Sequence, residues 1–334
     1  MKQSVATVQV HEMVAALRES IQRVIVGKDD AINLAIIALL SKGHVLVEDV
    51  PGIGKTTLAK ALAQSLGCSF SRIQFTPDLM PADITGTEMI EEDRATGHRE
   101  RTFVKGPIFS NIVLADEINR TPPKTQAALL EAMQERQVSA GNQKYKLDLP
   151  FFVLATQNPI EQEGTYNLPE AQLDRFMYLI VVDYPETDDE VEIMKRTTTN
   201  YEDEPQQVLE GEQILHYQKI VREVPVRDDL YDYVVSLVQA TRVSRDYCLP
   251  YAKEWVEWGA GPRACQNLIL GAKANSFFRG RSYVTTADIH TVAKPVLRHR
   301  IIVSYAAISE GITSDMVVEK ILEEVPTPRE TAEV

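Results

Sequence analysis

The distribution of hydrophobic and polar residues changes about halfway along the chain. In the first half, short apolar runs alternate with segments whose apolar residues recur at helical spacing, such as Lys124–Glu135. The apolar runs predict these strands: Val45–Val47, Phe70–Gln74, Ile112–Ala115, Phe152–Thr156 and Tyr178–Val182. Because strands that alternate with helices form a parallel sheet covered on both faces, this half predicts an α/β fold.

The second half predicts helices alone. The segment Asp183–Asp189 (DYPETDD) combines a proline with four acidic residues, and we expect a hinge there. Beyond it, helical periodicity predicts these helices: Val191–Thr197, Gln213–Val224, Asp228–Thr241, Pro262–Phe278, Thr286–Arg298 and Asp315–Glu324. We therefore expect an α/β domain at residues 1–186 and an all-α domain at residues 187–334.

Two polar segments of the first half predict β-hairpins. One joins Thr87–Ile90 to Arg99–Lys105 through a polar turn, and it spans about residues 87–105. The other joins Gln137–Ser139 to Lys144–Leu147 and spans about residues 137–147. Each hairpin is either an insertion with a function or ordinary surface decoration, since exposed hairpins are common.

A glycine-rich segment follows the first predicted strand and precedes an Ala/Leu-rich helical segment. Gly52 and Gly54 let successive backbone N–H groups face an anion. Lys55 can reach the β- and γ-phosphates, and Thr56 offers a hydroxyl to Mg²⁺. The signature G-x-x-x-x-G-K-[ST] has glycine where this chain has Asp49, but its Gly-Lys-Thr end is intact. The segment therefore predicts binding of a nucleoside triphosphate rather than a plain turn.

The predicted ATP/ADP site also includes two residues that precede the phosphate loop in the chain. A helix over His11–Val24 and a second one from Asp29 are separated by Val26-Gly27, which we expect to lie beside the nucleotide base. The residues assigned to the site are Val26, Gly27, Pro51, Gly52, Ile53, Gly54, Lys55, Thr56 and Thr57.

Side chains suited to hydrolysis follow two further strands. Asp116 and Glu117 directly follow the strand Ile112–Ala115. Asp116, with Thr56, is expected to hold Mg²⁺, and Glu117 is expected to accept a proton from the attacking water. Asn158 follows the strand Phe152–Thr156 and is placed to orient that water. Together these residues predict a magnesium-dependent triphosphatase.

Composition narrows the remaining possibilities. The formal net charge of −13 disfavours a broad nucleic-acid surface, because backbone phosphates are bound by clustered Lys and Arg. The longest apolar run, Ala31–Leu40, is too short to span a bilayer, and the three cysteines have no metal-ligand spacing. We expect a soluble, cytoplasmic protein that binds no metal other than Mg²⁺.

Several blocks, in this order and spacing, resemble the MoxR family of AAA+ ATPases over nearly the whole chain. They are Val26-Gly27, the phosphate loop, Phe75–Gly86, Gly106–Phe109, Asp116–Arg120, Ala155–Pro159, Leu168–Phe176 and Gly261–Ala264. The resemblance implies an AAA+ α/β domain followed by an α-helical lid. It also implies that the two hairpins correspond to the helix-2 insert and the pre-sensor-1 hairpin of this clade.

The resemblance assigns further roles to single residues. Asn158 resembles sensor 1, and Arg263 resembles the sensor 2 arginine that bridges the lid to the γ-phosphate. Arg175, expected on a helix just before the last strand, resembles the arginine finger that completes a neighbour's site. A guanidinium suits both arginine roles because its fork binds phosphate oxygens and keeps its proton. For Arg120, a phosphate contact across an interface and an ordinary salt bridge both stay open.

The function implied by the resemblance is ATP hydrolysis in a hexameric ring that remodels, assembles or activates protein clients. A partner with a von Willebrand A domain would be a separate chain, since no D-x-S-x-S signature occurs in this one. Two alternatives are a nucleic-acid translocase of the same clade and an ATP-sensing scaffold that does not hydrolyse. Glu117, Asn158 and Arg175 argue against the scaffold.

Overall fold

The computed structural model describes residues 2–49, 55–92, 99–140, 143–158, 164–200, 203–243 and 249–328. Its helices are α1 (Lys2–Gln22), α2 (Asp29–Leu40), α3 (Lys55–Ser65), α4 (Pro81–Thr85), α5 (Pro123–Glu135), α6 (Glu170–Leu173), α7 (Thr187–Thr197), α8 (Gly211–Glu223), α9 (Asp228–Ala240), α10 (Pro250–Trp255), α11 (Pro262–Phe278), α12 (Thr286–Leu297), α13 (Tyr305–Ser309) and α14 (Ser314–Glu324). Its strands are β1 (Val45–Asp49), β2 (Phe70–Gln74), β3 (Gly86–Glu92), β4 (Arg99–Lys105), β5 (Ile112–Asp116), β6 (Gln137–Ala140), β7 (Gln143–Lys146), β8 (Phe152–Gln157), β9 (Tyr178–Val182), β10 (Val256–Trp258) and β11 (Ile302–Val303).

The predicted strands form one parallel sheet of five strands in the order β2-β5-β8-β1-β9. Val45 of β1 is level with Leu154 of β8 and with Tyr178 of β9. Because all the strands are parallel, their carboxyl ends share one edge of the sheet and their amino ends share the other. The predicted α/β fold is confirmed.

The central strands of the sheet are buried on both faces, which is why β5 and β8 are apolar without alternation. One apolar cluster covers one face and continues into the second half of the chain. A second cluster, on the other face, includes α5 and the β6–β7 hairpin. Gly271 of α11 packs so closely against Tyr178 that a Cβ there would collide with the tyrosine hydroxyl. The lid therefore packs directly on β9.

The lid is helical, as predicted, with two departures. A short antiparallel ribbon pairs β10 with β11, and α10 and α13 were not predicted. These elements are two to six residues long, too short for hydrophobic periodicity to detect. Helix α7 begins at Thr187, inside the expected hinge Asp183–Asp189, so the last three of its seven residues are helical. The boundary at 186/187 stays a prediction.

Both predicted hairpins are present. Strands β3 and β4 pair antiparallel from Gly86 opposite Lys105, and β6 pairs with β7 from Gln137 opposite Lys146. Their turn residues 93–98 and 141–142 lie outside the described residues. The Phe103 ring of β4 stacks on the Tyr145 ring of β7, with centroids 4.1 Å apart. The two hairpins therefore contact each other.

Among the helices of the described ranges, none combines the length and the hydropathy needed to cross a lipid bilayer.

Candidate nucleotide-binding site

The carboxyl edge of the sheet collects the residues predicted for binding and hydrolysis. Lys55, Thr56 and Thr57 form the first turn of α3, directly after β1 and the phosphate loop. A helix N-terminus carries unpaired N–H groups and a partial positive charge, so this turn favours an anion. The loop residues Pro51, Gly52, Ile53 and Gly54 lie outside the described residues.

Asp116 ends β5 and is only 6% exposed. Arg72 of β2 donates to its Oδ2 through Nε at 3.1 Å and through Nη2 at 2.6 Å. The Thr156 hydroxyl of β8 donates to Oδ1 at 2.8 Å. The strand order causes this arrangement, because β5 lies between β2 and β8. Asp116 is therefore fixed from both sides.

The donor set of Asp116 and Thr56 fits Mg²⁺. Mg²⁺ prefers oxygen ligands and commonly binds one or two carboxylates together with phosphate oxygens and water. Oδ1 of Asp116 accepts from Thr156 and keeps a further lone pair for a metal-bound water. In the part of the chain that the structure describes, no three His, Cys, Asp or Glu side chains cluster to hold a metal alone.

Glu117 is held in an unusual conformation. Its φ of 59° and ψ of 50° lie in the left-handed region, which costs a residue other than glycine about 1–3 kcal/mol. Its N–H donates to the Thr156 hydroxyl at 2.9 Å. Its Oε2 accepts from Gln74 at 2.8 Å and lies 3.4 Å from Nε of Arg120. Arg120 thus forms an intrachain salt bridge, the simpler of its two predicted roles.

Asn158 follows β8 at the same edge and is 7% exposed. The preceding residue, Gln157, donates a hydrogen bond to Glu48 of β1, its partner in the sheet register. Since β8 lies between β1 and β5, Asn158 lies between the phosphate-loop strand and the Asp116-Glu117 strand. This is the position in which an amide can reach a water near the γ-phosphate.

Gly27 lies beside α7. Its φ of 67° is left-handed, and a Cβ there would collide with the Asp189 carboxylate, so this position requires glycine. Lys28 donates to the carbonyl oxygen of Asp183 at 2.6 Å. The Val26-Gly27 segment is therefore fixed against the start of the second half of the chain. Its contact with a nucleotide base stays a prediction.

Arg175 and Arg263 lie at the opposite, amino edge of the sheet. Arg175 is in the turn between α6 and β9, so its predicted position on a helix is wrong: α6 ends at Leu173. Both arginines line one cavity with residues that precede β1 and β9. Lys55 of the same chain lies beyond the other end of β1, and a strand of five residues extends for about 16 Å.

A carboxylate next to Arg175 links the α/β domain to the lid. Asp174 accepts from Nε of Arg300 at 2.8 Å, and its other oxygen lies 3.2 Å from Arg263. Arg300 also donates to the carbonyl oxygens of Asp174 and Phe176, at 2.9 and 2.7 Å. Its side chain is 2% exposed, and burial lowers its pKa from the usual value. The turn that carries Arg175 is thus fixed by two lid arginines.

Sequence reasoning missed Arg72, Gln74, Thr156 and Arg300. Arg72 and Gln74 could have been noticed in the sequence, because a charged and an amide side chain interrupt the predicted strand β2. Thr156 ends an otherwise apolar strand and gave no comparable signal. Arg300 lies far from its partners in sequence, 126 residues from Asp174, and only the fold brings them together.

Comparisons with known proteins agree with this arrangement. The family model described as "ATPase family associated with various cellular activities (AAA)" matches residues 44–178, and the model "AAA lid domain" matches residues 251–321. A crystal structure from Cytophaga hutchinsonii ATCC 33406 superposes with a TM-score of 0.89 at 42% identity, over 97% of each chain.

Curated relatives cover almost the entire chain. Chaperone MoxR1 of Mycobacterium tuberculosis is 43% identical over 97% of this chain and 84% of that protein. The uncharacterized protein YeaC of Bacillus subtilis (strain 168) is 42% identical over 95% of this chain and 96% of that protein. Both the sequence and the fold lead to one assignment: the chain belongs to the MoxR family of AAA+ ATPases.

Proposed function

We propose that the chain hydrolyses ATP to ADP and phosphate, with Mg²⁺, at sites shared between adjacent copies in a hexameric ring in the cytoplasm. One observation carries this proposal. The residues for binding and proton transfer lie at one edge of the sheet, whereas Arg175 and Arg263 lie at the other. A chain of this geometry supplies two half-sites, and only a neighbour can complete each of them.

At the carboxyl edge, Lys55 and the N-terminus of α3 bind the β- and γ-phosphates. Thr56 and Asp116 would hold Mg²⁺, which would neutralise charge on the phosphates. Asn158 orients a water molecule whose oxygen attacks the γ-phosphorus, and the bond from that phosphorus to the β–γ bridging oxygen breaks. Glu117 accepts the proton of the water. The hydrogen bond from Gln74 occupies one lone pair of Glu117 Oε2, and an ionised carboxylate has about four.

At the amino edge, Arg175 and Arg263 contact the γ-phosphate bound by the neighbouring chain. A planar guanidinium donates two parallel hydrogen bonds to phosphate oxygens, and it stabilises the charge that spreads over them as the bond breaks. Asp174 lies between Arg263 and Arg300, so it holds the lid arginine beside the finger arginine. Both arginines then approach one phosphate together.

The ring is proposed to remodel, assemble or activate a protein client, as a chaperone. The name of the relative Chaperone MoxR1 supports this proposal, and so does the net charge of −13, which disfavours nucleic acid as the client. The β3–β4 and β6–β7 hairpins are the proposed client-facing elements. A partner with a von Willebrand A domain is part of the proposal.

Phosphate release by the purified full chain tests this function directly. We expect turnover that depends on Mg²⁺. The turnover per subunit should rise with protein concentration as rings form, and single-stranded nucleic acid should not stimulate it. A Glu117→Gln chain, which keeps ATP bound, should retain a protein client in a pull-down. Full turnover at protein concentrations where the chain is monomeric would contradict shared sites, and strand-stimulated turnover would identify a translocase.

A further inference from the structure

A cavity of about 280 Å³ lies at the amino edge of the sheet, between the α/β domain and the lid. The residues that follow α2, Ser41 to His44, and the end of α5 form one wall. Gln266 and Asn267 of α11 and Arg222 of α8 form the other. Arg175 and Arg263 also line this cavity, but its other cations have no role in the hydrolysis described above.

These other cations are Lys42, Arg136 and Arg222. Within the described ranges no carboxylate lines the cavity, and none of the three cations forms a salt bridge. Burial, and then repulsion from Arg222, Arg136 and Lys219, lowers the pKa of Lys42. In a chain with a net charge of −13, this concentration of positive charge requires an explanation.

The backbone gives a second, independent observation. Among the described residues other than glycine, only Lys42, Glu117 and Arg136 have a positive φ, at 59°, 59° and 53°. Glu117 is the proposed proton acceptor, and the other two both line this cavity. At both positions the left-handed backbone ends a helix, α2 before Lys42 and α5 before Arg136, and glycine is the usual residue there because it has no Cβ. Here both positions carry a long cationic side chain, and the Arg136 guanidinium lies 3.4 Å from the Lys42 carbonyl oxygen.

We propose that this cavity is a second phosphate site, in which Lys42, Arg136 and Arg222 bind a polyphosphate group. A single carboxylate would neutralise one of the three cations, whereas a polyphosphate can neutralise all of them. Guanidinium groups match phosphate oxygens in geometry, and the amides of Gln266 and Asn267 add neutral donors. The phosphate group belongs either to a free polyphosphate or to the triphosphate of a neighbour's ATP, and the second source rests on the proposed shared sites.

The binding test uses the full chain with Lys55→Ala, which disables the phosphate loop, and inorganic triphosphate as the probe in calorimetric titration. We expect saturable binding that weakens at least tenfold when Lys42→Gly or Arg136→Gly is added. Glycine tolerates a positive φ, so these changes remove the charge without stressing the fold. The matched control is Arg227→Gln, an exposed lid arginine that pairs with Asp229 and lies outside the cavity.

Absence of saturable triphosphate binding in the Lys55→Ala chain would overturn the proposal, and so would equal binding in the cavity variants and the control. ATP turnover of Lys42→Gly with Lys55 intact then identifies the source. A fall of at least tenfold indicates the neighbour's triphosphate, and unchanged turnover indicates a free polyphosphate. A wild-type chain without any ATP hydrolysis would contradict the proposed function alone, because the titration does not depend on turnover.

Discussion

Nη2 of Arg72 lies 2.6 Å from Oδ2 of Asp116, so a cation from a neighbouring strand is paired with the carboxylate predicted to hold Mg²⁺. Asp116 is almost fully buried, whereas Arg72 is about half exposed. The pair therefore keeps a buried negative charge at the sheet edge and leaves the arginine accessible to solvent. This relationship can be tested on the ligand-free chain.

Replacing Arg72 with methionine should lower the free energy of unfolding by about 1–3 kcal/mol, the usual cost of a buried charged group that loses its hydrogen-bond partner. Urea denaturation without nucleotide measures it. In an Asp116→Asn background the same replacement should cost much less, because the buried charge is absent. Equal costs in the two backgrounds would show that Arg72 stabilises the fold through other contacts.

Substitutions at Lys55 and Glu117 should separate binding from hydrolysis. Lys55→Ala removes the lysine of the phosphate loop, so ATP binding should be lost in equilibrium titration. Glu117→Gln keeps a side chain of similar shape that cannot accept the proton, so binding should persist while turnover falls about 10²–10⁴-fold. An ATP affinity of Lys55→Ala equal to that of the wild type would contradict the phosphate-loop assignment.

Arg175→Ala should bind ATP normally and turn over about 10³–10⁵-fold more slowly, the range typical of an arginine finger. Because the finger acts on a neighbour, mixing Arg175→Ala with Lys55→Ala subunits should restore part of the activity. One subunit then supplies an intact pocket and the other an intact finger. No recovery in rings shown to contain both variants would indicate that Arg175 has only a structural role.

Mild acid should destabilise the chain through His44. This ring is fully buried; it accepts from the Val153 N–H at Nδ1 and donates from Nε2 to the Met133 carbonyl oxygen. Burial lowers its pKa to about 4 from a usual value of 6.5. Between these values the unfolded chain binds more protons than the folded chain, so the contribution of His44 is complete above pH 6.5 and is lost as the pH falls towards 4.

The expected loss from His44 over that range is about 3 kcal/mol, since one pKa unit corresponds to about 1.4 kcal/mol. Urea denaturation at several pH values measures it. Glutamine can both donate and accept a hydrogen bond but does not titrate. In His44→Gln the free energy of unfolding should therefore fall by about 3 kcal/mol less over this pH range. His299 is also buried with a lowered pKa, so the variant should keep some acid sensitivity. An unchanged slope in His44→Gln would contradict the prediction.

The contact between the hairpins predicts local coupling. Stacked aromatic pairs contribute about 0.5–1.5 kcal/mol beyond their buried area. Phe103→Ala should therefore raise amide hydrogen exchange across β6 and β7 by up to about tenfold. Val104→Ala is the control, because Val104 follows Phe103 on the same strand and its exposed side chain points to the other face. The same exchange in both variants would show that the hairpins move independently.

The sequence predicts the central strands well because β5 and β8 are buried on both faces and therefore form nearly uninterrupted apolar runs. The predicted bounds Phe70–Gln74 and Tyr178–Val182 agree with the structure to the residue, although β2 is polar and largely unburied. The ribbon Val256–Trp258 with Ile302–Val303 was missed, because two or three residues carry no measurable period. The apolar residues that flank Arg175 at helical spacing predict a helix, but α6 ends at Leu173 and Arg175 lies in the turn that follows.

For the site, the sequence identified residue types but not their partners. Glu117 and Asp116 follow from a carboxylate pair at a strand end. Their hydrogen bonds to Gln74 and Arg72 depend on which strand lies next to β5, and the chain order does not state this. Likewise, the sequence could assign Arg263 to a phosphate, but only the sheet polarity places it at the edge opposite Lys55.

The buried Arg300 has a genetic consequence. It belongs to the lid, yet its hydrogen bonds fix the turn that carries Arg175. A mutation that removes Arg300 and so displaces Arg175 would leave a subunit able to bind its own ATP. The adjacent subunit, however, would lack the arginine finger that completes its site. Under the proposed ring, such an allele would be dominant when expressed together with the wild type, whereas an allele that only prevents the chain from folding would be recessive.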